Sequence, residues 1–283
     1  MDSWVEFKYR IIEDPFEDDP NNGPVLKDTD HAWETLGQIT TYANATLGNQ
    51  FRTTLYTLLI IKEKARILRW DRSGVIYTHA FAYAEEDHLS EFWWRYSRSD
   101  RAQRGHDTSV SALSLEDTAL RRAHKGLETG RLFSMNVKDS EGVESSYIVG
   151  APFTKSHVSL TGRATRCFTA YDVQRERSVL LKDTWRVLAT GFEPEGKVYE
   201  RLKEADVPHV PKCLASGDVD DQTTVTLTGL PEHIKKLIVS FIEQRKLRHY
   251  RLVLDTVGRD LRSFCTPLEM VTAVRDAFEG TVL

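Results

Sequence analysis

Lys182 and Glu195 constrain this chain more than any other pair of residues. Lys182 stands in Val179-Leu-Leu-Lys-Asp-Thr-Trp-Arg186, an apolar run of strand character. Pro194 then suits a first helical turn, and Val198, Tyr199 and Leu202 fall three, four and seven residues after Glu195. Those four side chains share one helix face. If the apolar members pack on a sheet, Glu195 points at that sheet too, within reach of a strand lysine. A carboxylate so placed would steady an ammonium for contact with an anionic ligand. The competing reading is a solvated edge-strand lysine and a first-turn glutamate favoured only by the helix dipole.

The 283 residues suffice for one large domain or two ordinary ones. With 40% hydrophobic and 28% charged residues the balance is that of a globular protein rather than a disordered one. The net charge of −4 offers no clustered excess of Lys and Arg, so neither nucleic acid nor an anionic membrane is expected as a partner. Arg95, Arg98, Arg101 and Arg104 are interleaved with Asp100 and Asp107, as on a mixed solvated face. Cys167, Cys213 and Cys265 are too few and too scattered for a disulfide framework or a zinc site, so reduced thiols are expected. Residues 1–10 lack the basic and apolar stretches of a signal peptide, and Leu58-Leu-Ile-Ile61 is far too short to span a bilayer. An intracellular location, cytoplasmic or nuclear, follows as the expectation.

Composition and periodicity divide the chain in three. Residues 1–30 read as a flexible acidic arm, because the stretch 12–30 carries too little apolar area to offset chain entropy. Residues 31–150 read as an α/β region. Trp33, Leu36, Ile39, Tyr42, Ala43 and Leu47 recur at helical spacing, and strands at 54–61, 65–70 and 75–78 form an antiparallel meander through the turns Lys62-Glu-Lys64 and Asp71-Arg-Ser-Gly74. Leu89-Ser-Glu-Phe-Trp-Trp94 begins a helix with an aromatic core face, and strands at 132–137 and 146–149 flank the turn at 139–142. Residues 151–283 continue with strands near 157–160, 165–172 and 178–181, the helix after Pro194, a helix opened by Pro231, the strand Arg251-Leu-Val-Leu254 and a helix opened by Pro267. The fold class is α+β.

A phosphate-binding hairpin requires backbone N–H groups that side chains do not crowd. Gly162-x-Ala164-x-x-Cys167 keeps one glycine of the three such a loop has, and alone it reads better as an ordinary β-turn. Arg251-Leu-Val-Leu-Asp-Thr-Val-Gly258 reads as a strand leading into a connection, where backbone groups from Asp255 to Val257 could face an adenine edge. Gly258-Arg-Asp-Leu261 imitates a catalytic loop, but the histidine is absent and Cys265 stands where a metal-binding Asn belongs. No Asp-Phe-Gly occurs in the chain.

In these features the chain resembles the fungal-type protein kinase family over roughly residues 35–283. Arg66-Ile-Leu-Arg-Trp-Asp-Arg-Ser-Gly74, Thr161-Gly-Arg-Ala-Thr-Arg166, Leu181-Lys-Asp-Thr-Trp-Arg186, Glu195-Gly-Lys-Val-Tyr199 and His249-Tyr-Arg-Leu-Val-Leu-Asp255 carry the likeness. The resemblance implies a kinase-like small lobe at 151–283 after the family's N-terminal region, with a large lobe truncated before its catalytic and metal-binding loops. It implies a transferase of the Ser/Thr protein kinase type. Lys182 would meet the phosphates of ATP, Glu195 would hold Lys182, Gly162 and Thr165 would lie in the phosphate loop, and Asp255 and Val257 in the hinge. No residue is left for the catalytic base or for metal, so Mg is expected only if a large lobe supplies its ligands. The expectation is a chain inactive in transfer and weakly nucleotide-binding. The alternative is a non-enzymatic module binding a protein partner, with the lobe as scaffold. With the large lobe missing, Leu268, Val271, Val274 and Phe278 on the terminal helix would be poorly covered and invite self-association.

Overall fold

A computed structural model describes residues 2–19, 23–114, 131–139, 141–154, 159–228 and 246–280. The chain opens with strand β1 (Val5–Lys8), a short 3-10 turn (Ile11–Glu13) and a hairpin of β2 (Phe16–Asp19) and β3 (Gly23–Leu26). Helix α1 (Asp30–Asn49) begins where the Thr29 hydroxyl accepts from the Ala32 N–H, and it buries Ala32, Ile39, Ala43 and Leu47. The expected meander is present as β4 (Leu55–Ile61), β5 (Lys64–Asp71) and β6 (Gly74–Tyr77), with β1 added parallel to β4 and β7 (Phe81–Ala82) pairing β5. Alternating side chains of β4 and β5 meet α1 in a core of Ile39, Leu47, Leu55, Leu59, Leu68 and Trp70, and the Trp70 indole donates to the Thr57 hydroxyl at 2.8 Å.

The acidic segment is not a loose arm. Phe16 is 0% exposed, and it stacks on Tyr77 with ring centroids 3.9 Å apart. The buried guanidinium of Arg66 donates to Asp14 at 2.8 Å and Asp18 at 2.6 Å. A few acids tied to one buried cation, and one aromatic, fasten a segment whose average composition argues for solvation. The aromatic face of α2 (His88–Arg98) also differs from expectation. Tyr96 is buried, but Trp94 is exposed and lies under the Arg98 guanidinium, 4.4 Å from its ring centroid.

The second sheet has seven antiparallel strands. They are β8 (Val110–Ala112), β9 (Phe133–Lys138), β10 (Glu144–Val149), β11 (Arg166–Asp172), β12 (Arg177–Val187), β13 (Cys213–Thr223) and β14 (Leu247–Leu254), in the order β13-β14-β12-β11-β10-β9-β8. Ladder pairing of β10 with β11 carries the sheet across residue 150, so a division at 150/151 cuts a continuous sheet. Strand β13 has no counterpart in the sequence reading, because Ser216-Gly-Asp-Val-Asp-Asp221 lacks an apolar alternation. Ser159 and Leu160 are not in a strand, residues 155–158 lie outside the described ones, and so does the helix expected after Pro231. Helix α3 (Glu195–Glu204) follows β12, and α4 (Pro267–Glu279) follows β14 through a connection at 255–266. On α4, Leu268, Val271, Val274 and Phe278 are exposed. No helix among the described residues is long and apolar enough to cross a membrane.

Candidate functional site

Strand β12 is flanked by β11 on one side and β14 on the other, with Lys182 opposite Cys167 and Leu252. Lys182 is therefore a central-strand lysine, not an edge one. Its ammonium donates to both oxygens of Glu195, at 2.9 and 2.6 Å. The two side chains keep 24% and 27% exposure, enough for a ligand to reach them. Of the helix face that brings Glu195 to the sheet, Tyr199 packs on Tyr250, Leu252 and Leu254, whereas Val198 is exposed. Burial of the Cys167 sulfur pushes its thiol up, so this neighbour of Lys182 stays protonated near neutrality.

Gly196 is what lets α3 come so close, and the sequence reading passed over it. An added Cβ would stand 1.9 Å from the Ser216 Oγ and 2.7 Å from the Tyr250 hydroxyl. The Gly196 N–H, an orphan donor of the first helical turn, donates to that hydroxyl at 2.9 Å. Glu195 is thus positioned by the glycine behind it as well as by its partner lysine.

Gly162 and Thr165 lie in the connection between β10 and β11. Gly162 has φ +108, a conformation open to glycine, and its N–H donates to the Arg72 carbonyl at 2.9 Å. The Thr165 hydroxyl bonds that of Thr184 at 2.7 Å. Trp185 N–H and Thr184 Oγ1 both donate to the Arg163 carbonyl, at 2.8 and 3.1 Å, so the loop is sewn onto β12 just beyond Lys182. In the connection after β14, the Asp255 N–H donates to the Lys212 carbonyl at 3.0 Å and the Asp255 carboxylate accepts from the Lys212 N–H at 2.9 Å. Val257 is half-buried beside it. Asp260, rejected above as a catalytic base, caps the short turn Leu261–Ser263 and pairs with Arg262.

The segment Arg69-Trp-Asp-Arg-Ser-Gly74, which no general fold rule demands, joins the two sheets. Asp71 accepts from the Val225 and Thr226 N–H groups at 2.8 and 3.0 Å, and Ser73 bonds Thr224 at 2.6 Å. The Arg72 guanidinium, almost wholly buried, donates to the carbonyls of Leu47 at 2.8 Å and Leu160 at 3.3 Å. Burial, with Arg166 adding to it, pushes this guanidinium down to about 10, still cationic at neutral pH. The N-terminal region therefore holds Gly162 and Leu160 just before it.

On the strand face opposite Lys182, Asp183 accepts from Arg251 at 2.9 Å and Arg166 at 2.7 Å and bonds His249 at 2.6 Å. Arg251 reaches on to Asp107 at 2.7 Å. Burial opposes the charge on Asp183, but His249, Arg166 and Arg251 together hold its carboxyl well below the usual carboxylate range. The signal for this network was a cation and a histidine inside the apolar run His249-Tyr-Arg-Leu-Val-Leu254, since a charge in a central strand demands a partner.

A lysine on a central strand, held by a glutamate from the helix that follows, is the arrangement by which protein kinases grip ATP phosphates. The fungal protein kinase family model matches residues 25–282. Neither curated proteins nor solved structures gave a match to the chain. The family match covers most of the sequence and agrees with the mixed α/β architecture and antiparallel sheets: the chain belongs to the fungal protein kinase family.

Proposed function

We propose that this polypeptide is a kinase-like protein that binds ATP weakly through Lys182 and, by itself, transfers no phosphoryl group. The Lys182–Glu195 ion pair carries the reading, because it holds a partly exposed ammonium with both carboxylate oxygens occupied. Gly162 and Thr165 would border the phosphates. With the Asp255 N–H engaged by Lys212, the Asp255 carbonyl and the Val257 backbone are the groups left to an adenine edge. Transferring a phosphoryl group needs positioning together with neutralisation of charge by metal. Magnesium does not fit this pair, since Glu195 is committed to Lys182. The other grouping with ligand geometry among the described residues, His209, Asp276 and Glu279, has Arg275 beside both carboxylates.

Two observations favour the second reading, a non-enzymatic interaction module. The Gly162 and Asp255 N–H groups, which a nucleotide would use, are both satisfied inside the protein. The apolar stripe on α4 is also exposed, a surface suited to a protein partner or a second copy. A thermal melt with and without ATP separates the readings. A nucleotide at a hundred times its Kd adds about 2.7 kcal/mol of stability. A shift at millimolar ATP that Lys182→Ala abolishes supports the lobe as a nucleotide site. No shift supports the module. Radiolabelled phosphate transfer by the purified protein, lost in Lys182→Ala, would overturn the inactive reading.

A further inference from the structure

We propose that Arg163 is a phosphate-binding residue, gripping the polyphosphate of a nucleoside triphosphate beside Lys182 and making up for the Gly162 N–H, which its loop keeps engaged internally. This rests on the nucleotide reading of Lys182, but it names a side chain that the glycine-rich pattern of kinases does not supply.

Part of the loop's backbone is already engaged inside the protein. The Gly162 N–H donates to the Arg72 carbonyl at 2.9 Å, and the Cys167 N–H to the Thr154 hydroxyl at 3.1 Å. The Thr165 hydroxyl is engaged by Thr184. What the loop adds is positive charge. Among its described arginines and those packed beneath it, Arg72 is buried and Arg166 is bonded to Asp183 through both Nε and Nη2. The Arg163 side chain is 57% exposed.

Exposure alone would make Arg163 an ordinary solvated arginine. Two further observations set it apart. Its carbonyl accepts from both the Trp185 N–H and the Thr184 hydroxyl, which fixes its backbone on the strand that presents Lys182. Its Nη2 lies 3.8 Å from the same Glu195 Oε2 that Lys182 approaches at 2.6 Å. Two cations thus share one carboxylate, leaving the cluster with a net positive charge facing solvent. The Arg163 contact is long and exposed, and so is readily exchanged for a stronger one. A phosphate chain would meet a planar fork on one side and a point charge on the other.

The test uses the full chain, with inorganic tripolyphosphate, ATP and adenosine as separate probes in calorimetric titrations at low salt. Arg163→Ala is expected to weaken tripolyphosphate and ATP by about ten- to a hundredfold, the range for a charged hydrogen bond, and to leave adenosine unchanged. Arg163→Lys should retain part of the affinity, and the difference from wild type should shrink as salt rises. Wild-type affinity for both phosphate probes in Arg163→Ala, with Lys182→Ala still impaired, would overturn this inference and leave the lysine site standing. Loss in Arg163→Ala with Lys182→Ala unaffected would do the reverse. If the wild type binds none of the probes, both fall. Circular dichroism melts of each variant guard against misfolding, and Arg163→Ala should melt as the wild type does, since no buried group depends on its side chain.

Discussion

Gly196→Ala is the smallest change that should separate α3 from its sheet. The new Cβ would lie 2.8 Å from the Ser216 Cβ, 1.9 Å from its Oγ and 2.7 Å from the Tyr250 hydroxyl. Rotating Ser216 can move the Oγ but not the Cβ, so helix or strand must shift by several tenths of an ångström. Overpacking of this kind costs about 1–3 kcal/mol. Weakening the bond from the Gly196 N–H to Tyr250 adds about 1 kcal/mol. Against these stands the helix preference of Ala over Gly, at most about 1 kcal/mol and less in a first turn. The steric terms win, and the melting temperature should fall by about 2–8 °C. Differential scanning fluorimetry measures it, and any ATP-dependent shift should shrink too, because Glu195 moves with the helix. Adding Ser216→Gly removes both Ser216 contacts and should restore part of the stability, a coupling that a double-mutant cycle reads directly. A Gly196→Ala protein as stable as wild type, or more so, would show that the close approach of α3 does not constrain Glu195.

Asp71→Ala should leave the Val225 and Thr226 N–H groups without their acceptor and cost about 2–4 kcal/mol, read by chemical denaturation. Asp183 gives a pH signature. Its carboxyl is held well below 3.8 in the folded chain, so its stabilisation is full above that ordinary value and declines as pH falls through and below it. Asp183→Asn should therefore lower stability at pH 7 by about 3–5 kcal/mol and flatten the loss of wild-type stability below about pH 4, checked by melts across pH. If the α4 stripe mediates self-association, Val271→Glu with Phe278→Glu should convert concentration-dependent oligomers to monomers in light scattering. Concentration-independent monomers in the wild type would end that proposal.

The central pair was legible because both elements announce themselves locally. An apolar run surrounds Lys182, and a Pro-initiated helix places Glu195 on the face that Tyr199 buries. The meander at 55–77 was legible for the same reason, with two tight turns between alternating strands. What escaped was whatever depends on contacts between distant segments. The acidic arm looked solvated because its anchor, Arg66, lies some fifty residues away. Strand β13 is polar from Ser216 onward except for Val219, and β14 supplies its ladder. Gly196 carries no signal of its own, since only a facing serine and tyrosine reveal why a side chain is excluded there. In the sequence Asp71-Arg-Ser-Gly74 reads as a turn of the meander, and its work in joining the two sheets is visible only with the N–H groups of Val225 and Thr226 beside it.

The central claim is that the Lys182 ammonium, midway along β12, receives nucleotide phosphate. Calorimetric titration of ATP into the wild-type chain and into Lys182→Ala measures this directly. A weak but saturable heat in the wild type, absent from an equally well-folded Lys182→Ala protein, is the expected result. Identical titrations of the two proteins would contradict it.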